Sequence, residues 1–131
     1  MVNFLYLLNM GLDIFFDKVT TDNIAYFRKA NFLIPYFETF YNIEEIYNLQ
    51  SITIDLEGVE ELISRCEEVL KCPELAEDLL PTQEGFFFGS TEYDKYYFNQ
   101  VRDVLETMTN IVLPKFKTLK DKESIVFKVW W

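Results

Sequence analysis

Apolar and polar positions begin to alternate at Gly11. From Gly11 to Val19, Leu12, Ile14 and Phe16 fall on one side and Asp13, Phe15 and Asp17 on the other. That two-residue period predicts a strand. Thr20–Asn23 reads as a polar turn, and Ile24–Arg28 as the second strand of a hairpin. Asn31 is placed to cap a helix running to about Ile46, with Pro35 near its first turn, where proline is tolerated best. Phe32, Tyr36, Phe37, Phe40 and Tyr41 would crowd its face. Leu49–Ile54 reads as another strand.

The period then changes. Asp55 caps a predicted helix over 56–72, in which Leu56, Val59, Leu62, Ile63, Cys66, Val69 and Leu70 recur at helical spacing. Pro73 ends that helix and opens a short one to Leu80, which Pro81 closes. Thr82–Ser90 is a loop. Thr91 with Asp94 fits a capping box, and a long helix follows with Tyr97, Val101, Val104, Leu105, Met108, Ile111 and Val112 on one stripe. Leu62, Cys66, Val101, Leu105 and Met108 are the expected centre of the core. Pro114 is expected to stop the helix, and a lysine-rich linker leads to a last strand, Ser124–Trp131. The pattern predicts an α+β fold: three to four helices packed on a small, mostly antiparallel sheet. It forms a single domain over 1–131, with residues 1–9 as an N-terminal extension. The segment Met1–Asn9 is apolar but lacks the basic start and small-residue cleavage site of a secretory signal. It is too short to span a bilayer. It reads as a strand or as an overextended start, with Met10 as a second initiator.

Composition adds little to the fold and much to the question of partners. A chain of 131 residues, half of them apolar, buries about two-thirds of its surface on folding and is unlike a disordered segment. Its net charge of −10 is uneven. Residues 38–84 hold thirteen acids against only Arg65 and Lys71, whereas 114–131 hold five lysines against Asp121 and Glu123. Such a surface repels nucleic-acid phosphates and anionic membranes. The natural complement is a basic protein.

Candidate chemistry is sparse. There is no histidine, which removes the commonest general base, the usual zinc ligand and the Ser-His and Cys-His relays. No catalytic residue, metal site or cofactor is expected, and the chain does not read as an enzyme. Cys66 and Cys72, six apart, fall on different helix faces, one thiol in the core and one near the helix end. Asp13 and Asp17 share a strand face but lie about 13 Å apart, too far to hold one metal without further ligands.

Three features remain. The run Gly85-Phe86-Phe87-Phe88-Gly89 lacks the lysine of a phosphate loop. It reads as an aromatic plug, or as a wall that stacks a flat ligand beside a helix start. Arg28, Lys29 and Asn31 form a compact basic spot. With Phe87, Ser90, Tyr93, Asp94 and Tyr97 they make a candidate site for a small polar ligand or nucleotide. Alternatively, Arg28 and Asp94 form an ion pair with tyrosines packed around it. The third is an acidic ridge of Glu57, Glu60, Glu61, Glu67 and Glu68, extended by Glu74, Glu77 and Asp78, the candidate surface for a basic partner. Such a ridge imitates a nucleic-acid backbone.

Three segments carry a resemblance: Met10-Gly11-Leu12-Asp13, Ala25-Tyr26-Phe27-Arg28-Lys29-Ala30-Asn31, and Pro81-Thr82-Gln83-Glu84-Gly85-Phe86-Phe87-Phe88-Gly89-Ser90-Thr91-Glu92-Tyr93-Asp94. Over about 10–131 the chain resembles a family of small uncharacterised phage and prophage proteins. That family begins near the equivalent of Met10 and ends in a strand closing with Trp, as Trp131 does here. Its members often carry a histidine near Ile34, so no shared catalytic activity is implied for this chain. The resemblance implies a cytoplasmic protein of a phage or mobile element with a counter-defence role, an anti-CRISPR-like inhibitor. Its partner would then be a basic host protein such as a nucleic-acid-binding defence effector.

Overall fold

The computed structural model describes residues 11–18, 22–85 and 87–131. The strand expected over Met1–Asn9, the start of the turn before Asn23 and the ring of Phe86 lie outside them. Four described strands, β1 (Asp13–Lys18), β2 (Asn23–Arg28), β3 (Ser51–Ile54) and β4 (Ile125–Trp130), form an antiparallel sheet in the order β2-β1-β4-β3. Four described helices lie on it: α1 (Leu33–Phe40), α2 (Leu56–Lys71), α3 (Ala76–Leu79) and α4 (Lys95–Thr107). The fold is the α+β arrangement that the pattern predicts.

The sheet is one-sided because its strands alternate. Ile14 and Phe16 of β1, Ile52 and Ile54 of β3, and Ile125, Phe127 and Val129 of β4 are all buried. In register, Phe16 lies between Ala25 and Phe127, and Phe127 lies beside Ile52. These side chains meet α1 in an aromatic cluster, with Phe37 centred 6.0 Å from Phe16 and 4.6 Å from Phe127. Burial of several phenylalanines at about 1.5–3 kcal/mol each makes this the main cohesive element. The neighbours of the inward residues, Asp13, Phe15, Asp17, Lys128 and Trp130, sit on the other face. Asp13 and Asp17 are satisfied there separately, by the Tyr26 hydroxyl at 2.6 Å and the Asn23 amide at 2.8 Å.

Helix α2 follows its predicted phase. Asp55 accepts from the Gly58 N–H at 2.9 Å as N-cap, and Val59, Leu62, Cys66 and Val69 are buried. Cys66 is in the core and Cys72 is exposed at the helix end, both as free thiols. The Gly58 backbone is pressed against α1. Its carbonyl accepts from the Tyr36 hydroxyl, and a Cβ there would overlap the Tyr41 hydroxyl.

Several boundaries differ from the expectation, each for a local reason. Asn31 does not cap α1: the N-cap position is Phe32, with no side-chain cap, because the Asn31 amide is engaged elsewhere. The helix ends at Phe40 rather than near Ile46, where the chain passes through Asn42 at φ 53°. β3 starts at Ser51, since Leu49 sits at φ 69° in a turn. At α4 the cap is Asp94 itself, accepting from Tyr96 and Tyr97. The Thr91 carbonyl accepts from the Thr82 hydroxyl instead. Pro114 does not end the last helix. The chain widens into a π turn at Met108–Val112 and continues as Leu113–Phe116. A proline removes the bond to the carbonyl four residues back and crowds it, and the wider turn absorbs both. It also alters the phase of the apolar stripe. Met108 and Val112 are buried, Leu105 is only half-buried, and Ile111 is 44% exposed.

Candidate functional site

Two candidate sites can be placed. The first surrounds the 82–90 loop. Asn31 is the one buried polar side chain among the described residues. Its Nδ2 donates to the Phe88 carbonyl at 2.9 Å and the Ser90 carbonyl at 3.1 Å, and its Oδ1 accepts from the Gln83 N–H at 3.1 Å. One side chain thus ties both ends of the loop to the entrance of α1. The loop also holds itself. Phe88 is buried with its ring 4.9 Å from that of Trp131. Gly85 lies so close to it that a Cβ would collide with the ring. Gly89 turns the chain at φ 86°, a conformation that glycine adopts without cost.

Beside this clamp is a hollow of about 130 Å³ lined by Lys29, Asn31, Ser90, Asp94 and Tyr97, with Thr82, Glu92, Tyr96 and Gln100. Five of the eight residues expected to form a ligand site therefore meet. The other three do not join them. Arg28 lies along Gly11 and lines a separate hollow with Tyr26, Gln100 and Asp103. The Phe87 carbonyl accepts from the Leu12 N–H at 2.8 Å. Tyr93 packs edge-on to Tyr97 at 5.0 Å, its hydroxyl accepting from the Thr82 N–H. Asp94 is engaged by the cap of α4, and the Tyr97 hydroxyl donates to the Leu80 carbonyl at 2.8 Å. Burial pushes the Tyr97 phenol up from its usual range, with the neighbouring Tyr93 adding to it. Ligand pockets commonly enclose ~300–1,000 Å³. This hollow is well below that, and Asn31, Asp94 and the Tyr97 hydroxyl on its wall are already bonded within the fold.

The second candidate is the acidic ridge. Glu57, Glu60, Glu67 and Glu68 of α2 are exposed, as are Glu74, Glu77 and Asp78 in the turns that follow. Glu61 is half-buried and bonds Arg65 at 3.1 Å. That guanidinium also donates to the Leu79 carbonyl at 3.0 Å and lies 5.6 Å from the centre of the Tyr36 ring. Arg65 is thereby held against the fold, and among the described residues the other seven carboxylates have no ion-pair partner.

Sequence reasoning missed a third feature. The outer face of the sheet carries a groove of about 460 Å³ lined by Phe15, Asp17, Asn23, Leu49, Lys128 and Trp130. The signal was present in Phe15 and Trp130, which fall on the polar side of their strands.

Among the described residues no group of three or more His, Cys, Asp or Glu is placed to hold a metal ion. No described helix is long and apolar enough to cross a membrane. The chain matches no protein-family model, no curated protein and no solved structure.

Proposed function

We propose that this protein is a non-enzymatic acidic interaction protein. It uses the ridge of Glu57, Glu60, Glu61, Glu67, Glu68, Glu74, Glu77 and Asp78 to bind a basic, nucleic-acid-handling protein. Its role is that of a phage or mobile-element inhibitor of a host defence, acting in the host cytoplasm.

The observation that supports this reading is the run of unpaired carboxylates along α2 and its continuation. A buried, hydrogen-bonded carboxylate has a structural task. The seven unpaired ones have none: they are exposed to water, and Glu57 and Glu60, both unpaired, stand about one turn apart with like charge. Such pairs destabilise a helix by about 0.2–0.5 kcal/mol. The net charge of −10 also exceeds the ~2–8 that keeps a small domain soluble. A concentrated negative field accelerates encounter with a positive surface and competes with nucleic acid for it. The small-ligand reading is weaker, because the hollow at Lys29 and Ser90 is small and Asn31, Asp94 and Tyr97 on its wall are bonded internally.

The test is capture from lysate of the native host on the immobilised chain, with duplex DNA as competitor. A captured protein should be basic, be displaced by DNA, and elute at moderate salt. The Glu60→Gln/Glu61→Gln/Glu68→Gln variant should melt at or slightly above the parent temperature, yet associate more slowly and with a flatter salt dependence. Capture that is indifferent to salt and to the triple substitution would overturn the proposal.

A further inference from the structure

We infer that the outer face of the sheet is a self-association surface, on which a second copy of the chain seats face to face about a two-fold axis. The inference stands independently of the acidic ridge.

Among the described residues, helices cover only one face of the sheet. On the other, Phe15 packs against Tyr26 at 5.2 Å between ring centres, and Phe15, Leu49 and Trp130 line the groove of about 460 Å³. Tyr26 is 49% exposed, Leu49 60% and Trp130 44%. Large apolar side chains exposed together in this way mark interaction surfaces.

Leu49 is the most informative of them. It stands at φ 69°, in the left-handed region that glycine or asparagine ordinarily fills. The turn that holds it there is fixed on both sides. Asn48 donates to the Trp131 carbonyl at 2.7 Å and accepts from its N–H at 2.8 Å, and the Leu49 N–H donates to the Val129 carbonyl at 3.0 Å. The fold thus presents a leucine to water from a backbone position where leucine is disfavoured. Packing among the described residues does not account for it.

A second copy fits this surface better than a foreign partner, because the patch carries both halves of a complementary pair. A two-fold contact brings the same patch onto itself, so it must hold its own knob and hole and both signs of charge. Here the exposed Leu49 stands at the wall of the hollow it would fill on the partner, and the groove is lined by both Lys128 and Asp17. The ridge on α2 does not oppose the pairing. It lies on the solvent side of the helix layer, so two sheets and two helix layers separate the ridges, several screening lengths of ~8 Å. Four strands ~4.8 Å apart and about six residues long present roughly 400 Å² in projection. Two such faces bury roughly 800 Å² in total, to which the protruding Leu49 adds a little, below the ~1,200–2,000 Å² of stable specific interfaces and in the range of weak, transient ones. The pair is therefore weak, with dissociation in the micromolar range.

Sedimentation equilibrium of the full chain from about 5 to 500 µM tests this, around the dissociation range just argued. The expected result is reversible conversion to twice the 15.7 kDa chain mass. Leu49→Gly removes the knob while suiting the backbone, so it should weaken association roughly tenfold or more without lowering the melting temperature. Lys128→Glu should also weaken it, by leaving a carboxylate-only rim. A chain that stays monomeric throughout, whether its face is open or covered by its own residues 1–10, overturns the inference. So does a dimer whose dissociation constant neither substitution changes.

Discussion

Replacing Asn31 with alanine tests whether the 82–90 loop is held by one buried side chain. The substitution removes three hydrogen bonds, to the Phe88 and Ser90 carbonyls and from the Gln83 N–H. A net loss of about 0.5–1.5 kcal/mol per bond would apply if each group were rehydrated. Gln83 and Ser90 are at least partly open to water, but Phe88 is buried. Its carbonyl is left unpaired at about 1–3 kcal/mol. Together these place Asn31→Ala at about 2–6 kcal/mol, at or above the upper end for a single substitution. Urea unfolding gives the global value. Amide exchange gives the local one, with Gln83 and Phe88 exchanging faster than the strands of the sheet. Asn31→Asp sharpens the test, because it retains the acceptor for Gln83 but loses both donors and buries a charge. It should be at least as damaging at pH 7 and recover partly in acid, where the carboxyl is neutral. A loss below about half a kcal/mol for Asn31→Ala, with unchanged exchange in the loop, would show that the Phe88–Trp131 contact holds the loop alone.

Two further outcomes follow from burial. Met108→Ala should cost about 2–5 kcal/mol as a cavity-forming change, and Leu105→Ala distinctly less, because Met108 is fully buried and Leu105 is not; equal losses in urea unfolding would contradict the π-turn phase. Burial, reinforced by Glu67, pushes the Cys66 thiol from 9.0 up to about 12, so between those pH values the unfolded chain releases a proton that the folded chain keeps. Stability is full below about pH 9 and falls as pH rises. Cys66→Val should show a shallower alkaline decline than the parent in urea midpoints, and equal slopes would refute the assignment.

What was legible in the sequence is what rests on period and on single capping residues. The alternation of Leu12, Ile14 and Phe16, the stripe from Val59 to Val69, and Asp55 at its helix start all read correctly because each signal is local. The errors arise where a residue with a local vocation met a competing demand, near or far along the chain. Asn31 looks like a cap, but the loop more than fifty residues away uses its amide. Pro114 looks like a stop, but a π turn absorbs it. Thr91 looks like a cap, but its carbonyl is engaged by Thr82 while Asp94 does the capping. Five of the eight expected ligand residues were brought together because they flank two segments that the clamp joins. Arg28 diverged because successive residues leave a strand on opposite faces. The groove on the sheet was only partly legible: Phe15 and Trp130 fall on the polar side of their strands, but nothing in a single strand shows that this face will gather aromatics from three neighbours.

Two features of the molecule carry a local cost that the fold does not require. Like charges crowd along α2 with a single ion pair, Glu61–Arg65, to relieve them, and Leu49 occupies a backbone conformation suited to glycine. Departures from local consistency concentrate where a protein does something other than fold. The alternative explanation, that each is compensated inside the chain, has a definite form in both cases. Among the described residues Glu57, Glu60, Glu67 and Glu68 have no ion pair, the nearby Arg65 being occupied by Glu61 and Leu79, and only Glu57, in the first turn, is favoured by the helix dipole. Leu49 would need burial, and it is 60% exposed. The described residues leave both features largely uncompensated, and the two-layer architecture places them on opposite layers. A basic partner on the helix layer and a second copy on the sheet do not compete for surface. A paired chain would present two ridges facing away from each other, so a basic target with two sites would be held by both, with a gain in avidity that needs no new contact.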